Sequence, residues 1–537
     1  MTRTYTDEPG ITPVARPAPT RAARKGTAWL VAVAMAFLAS QFTFVPPHLG
    51  LGFDESVYVS QVSAHAPASF FSAPRARGIS YLVAPVAALT SSITAIRCYL
   101  AVLSSAALLG SLWAWRCFYS DRVLALAGVL FAGLWITQFY GPQAMPNLWV
   151  AFAALACVGL FLRSVGPPRP LRAHWRSLAG TGLCAAAVVQ LRPPDGFWLA
   201  LPLFAVSLAI RPRPGRAVFG ALLAGLALGG AQWIVEAYTR YGGVGARLHT
   251  SGQVEGGFSW NPAFTDQLRS LGGRTLCRPC TAPWHLETNS LWWFTVPVLV
   301  AGGVMVARRD RRLPVALLPA ICGLSIAAPY LLLINYAAPR FLLPSYALLS
   351  LPAAACVRWI AAGAGRRRRR PYLTAAAVVI VAVHLAIQNR VLTATVARNE
   401  TAHADFSRIA SDLNGVGMTR PCLITGVNAI PIGFVAGCAS GATAGNNANM
   451  TVRGIADTAR RRPVAVLVPA GHPVPFYARA WRRHRLPLSR QLPPYLAYVS
   501  RQASSPPGRG QGDGRPGPRA AGASEGARGG SRGGDTS

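Results

Sequence analysis

The chain has 537 residues, 52% of them hydrophobic and 13% charged, a make-up that excludes an ordinary soluble globular protein and indicates a multi-spanning membrane protein. Its formal net charge of +35 invites a nucleic-acid partner. However, Lys25 is the only lysine, and the arginines sit in short loops between apolar runs rather than on one basic face with interleaved aromatics. The charge reads as compositional bias, and no nucleic acid is expected.

In chain order, residues 1–26 are polar and predict a disordered cytoplasmic N-terminus; AWLVAVAMAFLASQFTFV is not read as a cleavable signal because further spans follow. Apolar runs of about 17 to 25 residues, the length that crosses a hydrocarbon core, lie near 27–45, 95–115, 122–140, 146–163, 177–191, 195–210, 217–238, 290–307, 313–334, 341–360 and 372–390. The fold class is therefore an all-α polytopic membrane protein of about eleven spans. The fifth and sixth are short, joined by LRPPDG, and predict tilted or partly re-entrant segments.

Alternate loops carry the arginines. One set holds Arg116 and Arg122; Arg163, Arg169, Arg172 and Arg176; Arg308, Arg309, Arg311 and Arg312; and the run Arg366 to Arg370. The short members of the other set hold none in YGPQAMP, Arg192 in LRPPDG and Arg340 in NYAAPRF. The positive-inside rule then places the N-terminus inside and the C-terminal region outside, in a plasma-membrane protein whose active site would be extracytoplasmic. The segment ISYLVAPVAAL (79–89) is too short to cross comfortably and carries Pro85, so it predicts a juxtamembrane or re-entrant helix within an external loop spanning 46–94. A second external loop covers 241–289.

That second loop contains Cys277 and Cys280 in LCRPC. No second CxxC exists to complete a zinc site, so a local disulfide or two free thiols is the expectation and no metal is assigned. Residues 391–502 change character: ARNETAHADFSRIASDLN reads as an amphipathic helix, and PCLITGV and PVAVLVPA as short buried strands. A small extracytoplasmic α/β domain follows, with NAIPIGFVAGCASGATAGNN as a Gly/Asn-rich loop and Cys422 and Cys438 within reach of pairing. Residues 503–537 are Gly, Arg, Ser and Pro and predict a disordered tail.

Only 18 residues are Asp or Glu, so the adjacent pair Asp54 and Glu55 in GFDESVYVSQV, just past the first span, calls for a reason. A solvated loop pair or a helix cap is one; chemistry at the membrane surface is the other. The pair, the loop segment ending in TAIRCYLAVLSS and the late PRFLLPSYALLSLPAA together resemble the GT-C glycosyltransferase superfamily. The nearer likeness is to its polyprenyl-phosphate-sugar-dependent branch, which includes protein O-mannosyltransferases and lipid A aminoarabinose transferases.

The resemblance covers roughly residues 27 to 360. It matches Asp54, Glu55 and Tyr58 to the branch's acidic motif and its following aromatic. Where the branch tends to have Lys-Pro before the juxtamembrane helix, this chain has ARARGISYL, which shifts the charge contact to Arg75 or Arg77. It implies an inverting transfer of a hexosyl or pentosyl group from a polyprenyl-phosphate donor to a glycan, lipid or protein acceptor. Asp54 would be the base and Glu55 would shape the site or bind acceptor; on an extended backbone the two would point to opposite sides. Arg97, Arg192 or Arg340 would hold the leaving phosphate, each with an alternative as a snorkelling interfacial arginine. No cofactor is assigned, and a divalent cation stays open. A transporter or flippase, and a non-catalytic scaffold with an external binding domain, are the other readings; the absence of internal repeats weighs against the first.

Overall fold

The computed structural model describes residues 21–166, 170–210, 212–257, 259–278, 280, 288–363, 370–445, 447–486 and 494–500. The N-terminal residues 1–20, the tail from 501 and the run Arg366 to Arg369, on which three of the expectations above fall, lie outside that set.

Every one of the eleven apolar segments is helical, but they are not equivalent. Eight helices are long and apolar enough to cross a bilayer: Gly26–Phe44, Ile93–Trp113, Pro146–Val165, Pro214–Tyr241, Thr288–Arg309, Leu313–Leu332, Pro339–Ala361 and Arg370–Gly415. The segment predicted at 122–140 is two helices, Asp121–Ala132 and Trp135–Tyr140, broken at Gly133 and Leu134. The N–H that the break frees on Trp135 is satisfied by Gln388 Oε1 at 3.0 Å, from the last long helix. The fifth segment forms Leu171–Leu191 and the sixth only the 17-residue helix Pro193–Ala209, with Pro202 inside it.

Small residues let the spans approach. At Gly225 a Cβ would strike the backbone of Gly182, so the helices Leu171–Leu191 and Pro212–Tyr241 cross at backbone contact, the packing available where no hydrophobic effect drives helices together. The segment 79–89 is the short helix Gly78–Ala87, as expected.

The loops sort by end. Arg116 pairs with Asp121, Arg312 donates to Phe118 O, and Arg309 lies over Trp359, so the arginine-rich loops meet at one end of the bundle. The loops around Asp54, Ala144, Arg192 and Arg340 meet at the other.

The last helix runs unbroken for 46 residues, Arg370–Gly415, so the boundary predicted at 390 lies inside it. At 1.5 Å per residue it is about 70 Å long, more than twice a hydrocarbon core, and its polar half leaves the bundle as the base of the C-terminal domain. There a five-stranded sheet has the order β2-β1-β3-β5-β4, with β1 Leu423–Gly426, β2 Ala439–Gly441, β3 Val464–Pro469, β4 Arg482–Arg485 and β5 Tyr495–Val499. β1 is parallel to both β2 and β3, and β5 is antiparallel to β3 and β4. The segment predicted as loop between the strands is instead the helix Ala429–Ala436 followed by β2. Pro431, Gly433 and the brevity of both elements hide them in sequence, whereas burial of Ile430 and Phe434 against the membrane domain makes the helix. Disulfides join Cys422 to Cys438, just ahead of β1 and β2, and Cys277 to Cys280.

Candidate active site

Asp54 and Glu55 sit in the first turn of the helix Phe53–Ser60. Gly52 enters it extended, and Glu55 reaches back to accept from Gly52 N at 3.0 Å, which is the N3 half of a capping box, while both carboxylates complement the helix N-terminus. The backbone is therefore helical, not extended as the sequence reading took it. Successive side chains still diverge, by about 100°, because a helix has 3.6 residues per turn.

Glu55 points inward and is 3% exposed. Arg97 grips it with two bonds, Nη1 to Oε1 at 2.5 Å and Nη2 to Oε2 at 2.9 Å, and Ala144 N donates to Oε1 at 2.8 Å. The rest of the Arg97 guanidinium goes to the carbonyls of Leu49, Gly50 and Pro142. Two expectations are corrected here. Arg97 has no donor left for a phosphate, and Glu55 has no oxygen turned towards an acceptor; both lock the loop that carries Asp54. Burial pushes the Glu55 carboxyl up, but the Arg97 charge and the hydrogen bonds from Arg97, Gly52 and Ala144 outweigh it and hold it below its ordinary 4.5.

Asp54 points the other way, with 32% of its side chain exposed. Arg75 Nη2 donates to Oδ1 at 2.7 Å and Arg340 Nη2 to Oδ2 at 3.1 Å. Burial works against its ionised form, yet Arg75 and Arg340, with a smaller contribution from Arg192, win and lower its pKa from 3.8. Arg75 also donates from Nη1 to Ser72 Oγ and to Asn447 Oδ1 of the C-terminal domain, at 2.6 and 2.8 Å. Arg340 is steadied by the Thr275 carbonyl at 3.0 Å and Tyr140 OH at 3.5 Å.

Arg192 completes the group. It pairs with Asp195 at 3.1 Å and donates to Tyr330 OH at 2.8 Å, while Tyr330 donates in turn to Asp195. The Arg192 and Arg340 guanidiniums both lie by the Phe341 ring, 5.0 and 5.3 Å from its centroid, which helps hold two like charges in one pocket. Arg192 and Arg340 are thus paired and largely buried, not snorkelling. Tyr58 is buried, packed edge-on against Phe71 with the Arg75 guanidinium 6.0 Å from its ring centroid.

Arg77 stands apart from this group. It binds Glu236 at 2.7 Å, with Arg247 on the carboxylate's other oxygen at 3.3 Å, so of the two arginines offered by ARARG, Arg75 meets Asp54. Among the described residues no cluster of three or more His, Cys, Asp or Glu side chains converges, and both adjacent carboxylates are paired with guanidiniums. Sequence reasoning missed Asp195, Tyr140, Tyr330 and Asn447. The i,i+3 spacing of Arg192 and Asp195 in LRPPDG was a usable signal for the first; nothing local marked the others.

No protein-family model and no curated protein matches the chain. Among solved structures, it superposes on ArnT from Cupriavidus metallidurans bound to undecaprenyl phosphate with a TM-score of 0.64 at 13% identity, covering 90% of this chain and all of that one. The apo state of the same ArnT gives 0.60 at 13% identity over the same shares. The chain has the ArnT fold. The mostly helical membrane bundle with a small C-terminal sheet expected from the sequence is borne out, with eight helices among the described residues long and apolar enough to cross rather than eleven.

Proposed function

We propose that this protein is an inverting membrane glycosyltransferase that moves a sugar from a polyprenyl-phosphate donor to an extracytoplasmic acceptor. The observation that carries the reading is Asp54: a partly exposed carboxylate at one end of an apolar bundle, with each oxygen on a different arginine. The shared fold supports it, since one ArnT structure holds undecaprenyl phosphate. The extracytoplasmic side is supported by the arginine-rich loops, which favour the cytoplasm and lie at the end of the bundle opposite Asp54.

The arginines define how such a site would work. A carboxylate held by two guanidiniums is a poor base, because protonation must break both pairs. A donor phosphate entering beside Asp54 competes for Arg75 and Arg340, and Arg192 adds a third positive charge. As the guanidiniums turn to the phosphate, Asp54 regains basicity. The acceptor hydroxyl then attacks the anomeric carbon while its proton passes to Asp54. The bond from that carbon to the phosphate oxygen breaks, and the electron pair leaves with polyprenyl phosphate, whose charge the arginines hold. Donor binding thus switches the base on.

Asp54→Asn, assayed with a radiolabelled polyprenyl-phosphate sugar, is expected to lose about 10² to 10⁴ in transfer rate. Its affinity for polyprenyl phosphate should equal or exceed that of the unsubstituted protein, because the arginines are released from their anion. Undiminished transfer would remove Asp54 as the base, and no transfer by the unsubstituted protein from any polyprenyl-phosphate sugar would put the scaffold reading ahead. The transporter reading has less support: the buried ion pairs of Asp54, Glu55 and Asp195 gather at one end of the bundle, not midway along it.

A further inference from the structure

A second cavity lies beside Asp54. The C-terminal domain sits on the loop that carries the Phe53–Ser60 helix, and between them is a cleft of about 430 Å³, within the usual range for small-molecule sites. One wall is Phe53, the residue before Asp54, 43% exposed, together with Phe70. The other wall is the carboxyl edge of the sheet: Gly426 at the end of β1, Ser440 and Gly441 of β2, and the loop from Ala442 to Asn449.

The crossover helix from β1 to β2, Ala429–Ala436, and the one from β2 to β3, Val452–Ala459, lie on opposite faces of the sheet, and the cleft opens off the carboxyl ends of β1 and β2. The cluster around Ile432 packs on one face, with Ile424, and Ile455 on the other, with Leu423. Gly426 has φ +95° and a Cβ there would strike the Leu467 carbonyl, so the chain turns tightly away and leaves the edge open.

Asn447 points to the occupant. It is 6% exposed and lines the cleft, and while its Oδ1 accepts from Arg75 at 2.8 Å, its Nδ2 has no hydrogen-bond partner. A buried amide N–H₂ left without an acceptor is costly, which marks it as a group with a partner to come. The Arg75 that orients Asn447 is the one that holds Asp54, so the cleft and the carboxylate share one guanidinium.

We infer that this cleft is the acceptor site and that it takes a glycan segment, an inference that rests on the glycosyltransferase reading above. A sugar ring has an apolar C–H face that fits an exposed aromatic such as Phe53. Its hydroxyls both donate and accept, which matches Asn447 Nδ2, Ser440 Oγ and the backbone groups of the Gly-rich loop. Among the described residues no carboxylate lines the cleft, and Arg278 does, so neutral and acidic sugars are accommodated and cationic ones disfavoured. A peptide acceptor has less to recommend it, since the sheet edge facing the cleft is strand ends rather than an open strand along which a peptide could pair.

The test uses the full-length protein in detergent, with saturation-transfer NMR on a panel of neutral and uronate-containing trisaccharides and a Ser/Thr-containing hexapeptide. At least one trisaccharide is expected to bind. Ala444→Trp, at an exposed position that fills the cleft, should weaken it tenfold or more, and Phe53→Ala and Asn447→Ala about 3- to 10-fold each. Polyprenyl phosphate affinity should stay unchanged in Ala444→Trp. Binding of the hexapeptide alone, of no probe, or of a trisaccharide equally well to Ala444→Trp would overturn the proposal. The transfer assay separates the two claims. Glycan binding that Ala444→Trp removes, beside no transfer by the unsubstituted protein from any polyprenyl-phosphate sugar, keeps the cleft and sinks the glycosyltransferase reading; transfer that Asp54→Asn abolishes, with binding indifferent to Ala444→Trp, does the reverse.

Discussion

Two neighbouring residues in one helical turn build two unlike regions. Around Glu55 every polar atom of a buried ion pair is spoken for, with Arg97 1% exposed and committed to a carboxylate and three carbonyls. Around Asp54 the same chemistry is left open: the carboxylate is a third exposed, and it is shared between two arginines that arrive from segments remote in sequence. A closed pair holds a loop in place, while an open one has cations that a phosphate can take. The difference comes from direction alone, since consecutive side chains on a helix diverge by about 100° and one enters the bundle while the other faces the C-terminal domain.

Breaking the closed region should have the largest effect. Arg97→Met leaves Glu55 buried without its counter-charge, a change that typically costs about 3–5 kcal/mol, so thermal unfolding in detergent should shift far down and activity should fall with it. The double substitution Arg97→Met with Glu55→Gln should recover much of that loss, because it removes the stranded charge. If Arg97→Met unfolds at the temperature of the unsubstituted protein, the pair is not structural and the contrast with Asp54 collapses.

The open region is sharpened by exchanging its cations. Arg75→Lys keeps the charge but cannot hold Asp54, Ser72 and Asn447 at once, because an ammonium lacks the planar fork. About a tenfold fall in kcat/KM for the donor is expected, with thermal stability nearly unchanged. Arg77→Lys, two residues on, serves Glu236 instead and should leave donor kinetics close to those of the unsubstituted protein. Equal kinetic losses in both would show that the ARARG segment acts through general charge rather than through the Arg75 geometry.

How much of this was legible in sequence differs between the two regions as well. The spans were readable because each depends on local apolar composition, and the Asp54–Glu55 pair stood out through the scarcity of carboxylates. Which arginine meets which carboxylate was not. Arg97 and Arg340 look alike at the ends of spans, and only the packing of Leu49, Pro142 and Ala144 around one guanidinium decides that it belongs to Glu55. The break at Gly133 was hidden for the same reason, since the Gln388 that caps it lies 253 residues away. In the C-terminal domain β1 and β3 were visible as apolar runs, while the helix Ala429–Ala436 was not, because it is buried on two sides, by Ile430 and Phe434 against the membrane domain and by Ile432 and Ala436 against its own sheet, and shows no one-sided pattern.

The smallest expected effect separates the two carboxylates by pH. Glu55 is held below its ordinary 4.5, so the folded protein binds that proton less readily than the unfolded chain does. Its contribution to stability is therefore complete above pH 4.5 and is lost as pH falls through its lowered folded value. Glu55→Gln removes the contribution at every pH. The gap in melting temperature between Glu55→Gln and the unsubstituted protein should thus be widest near neutrality and narrow below pH 4.5. Asp54 has the same sign from its ordinary 3.8, but with a third of its side chain in solvent its pairs are screened, so the gap for Asp54→Asn should be smaller throughout. Tryptophan fluorescence melts from pH 7 to pH 3 read both variants. A gap for Glu55→Gln that stays constant across that range would mean that the carboxylate does not act through its charge, and that the Arg97 pair contributes packing alone.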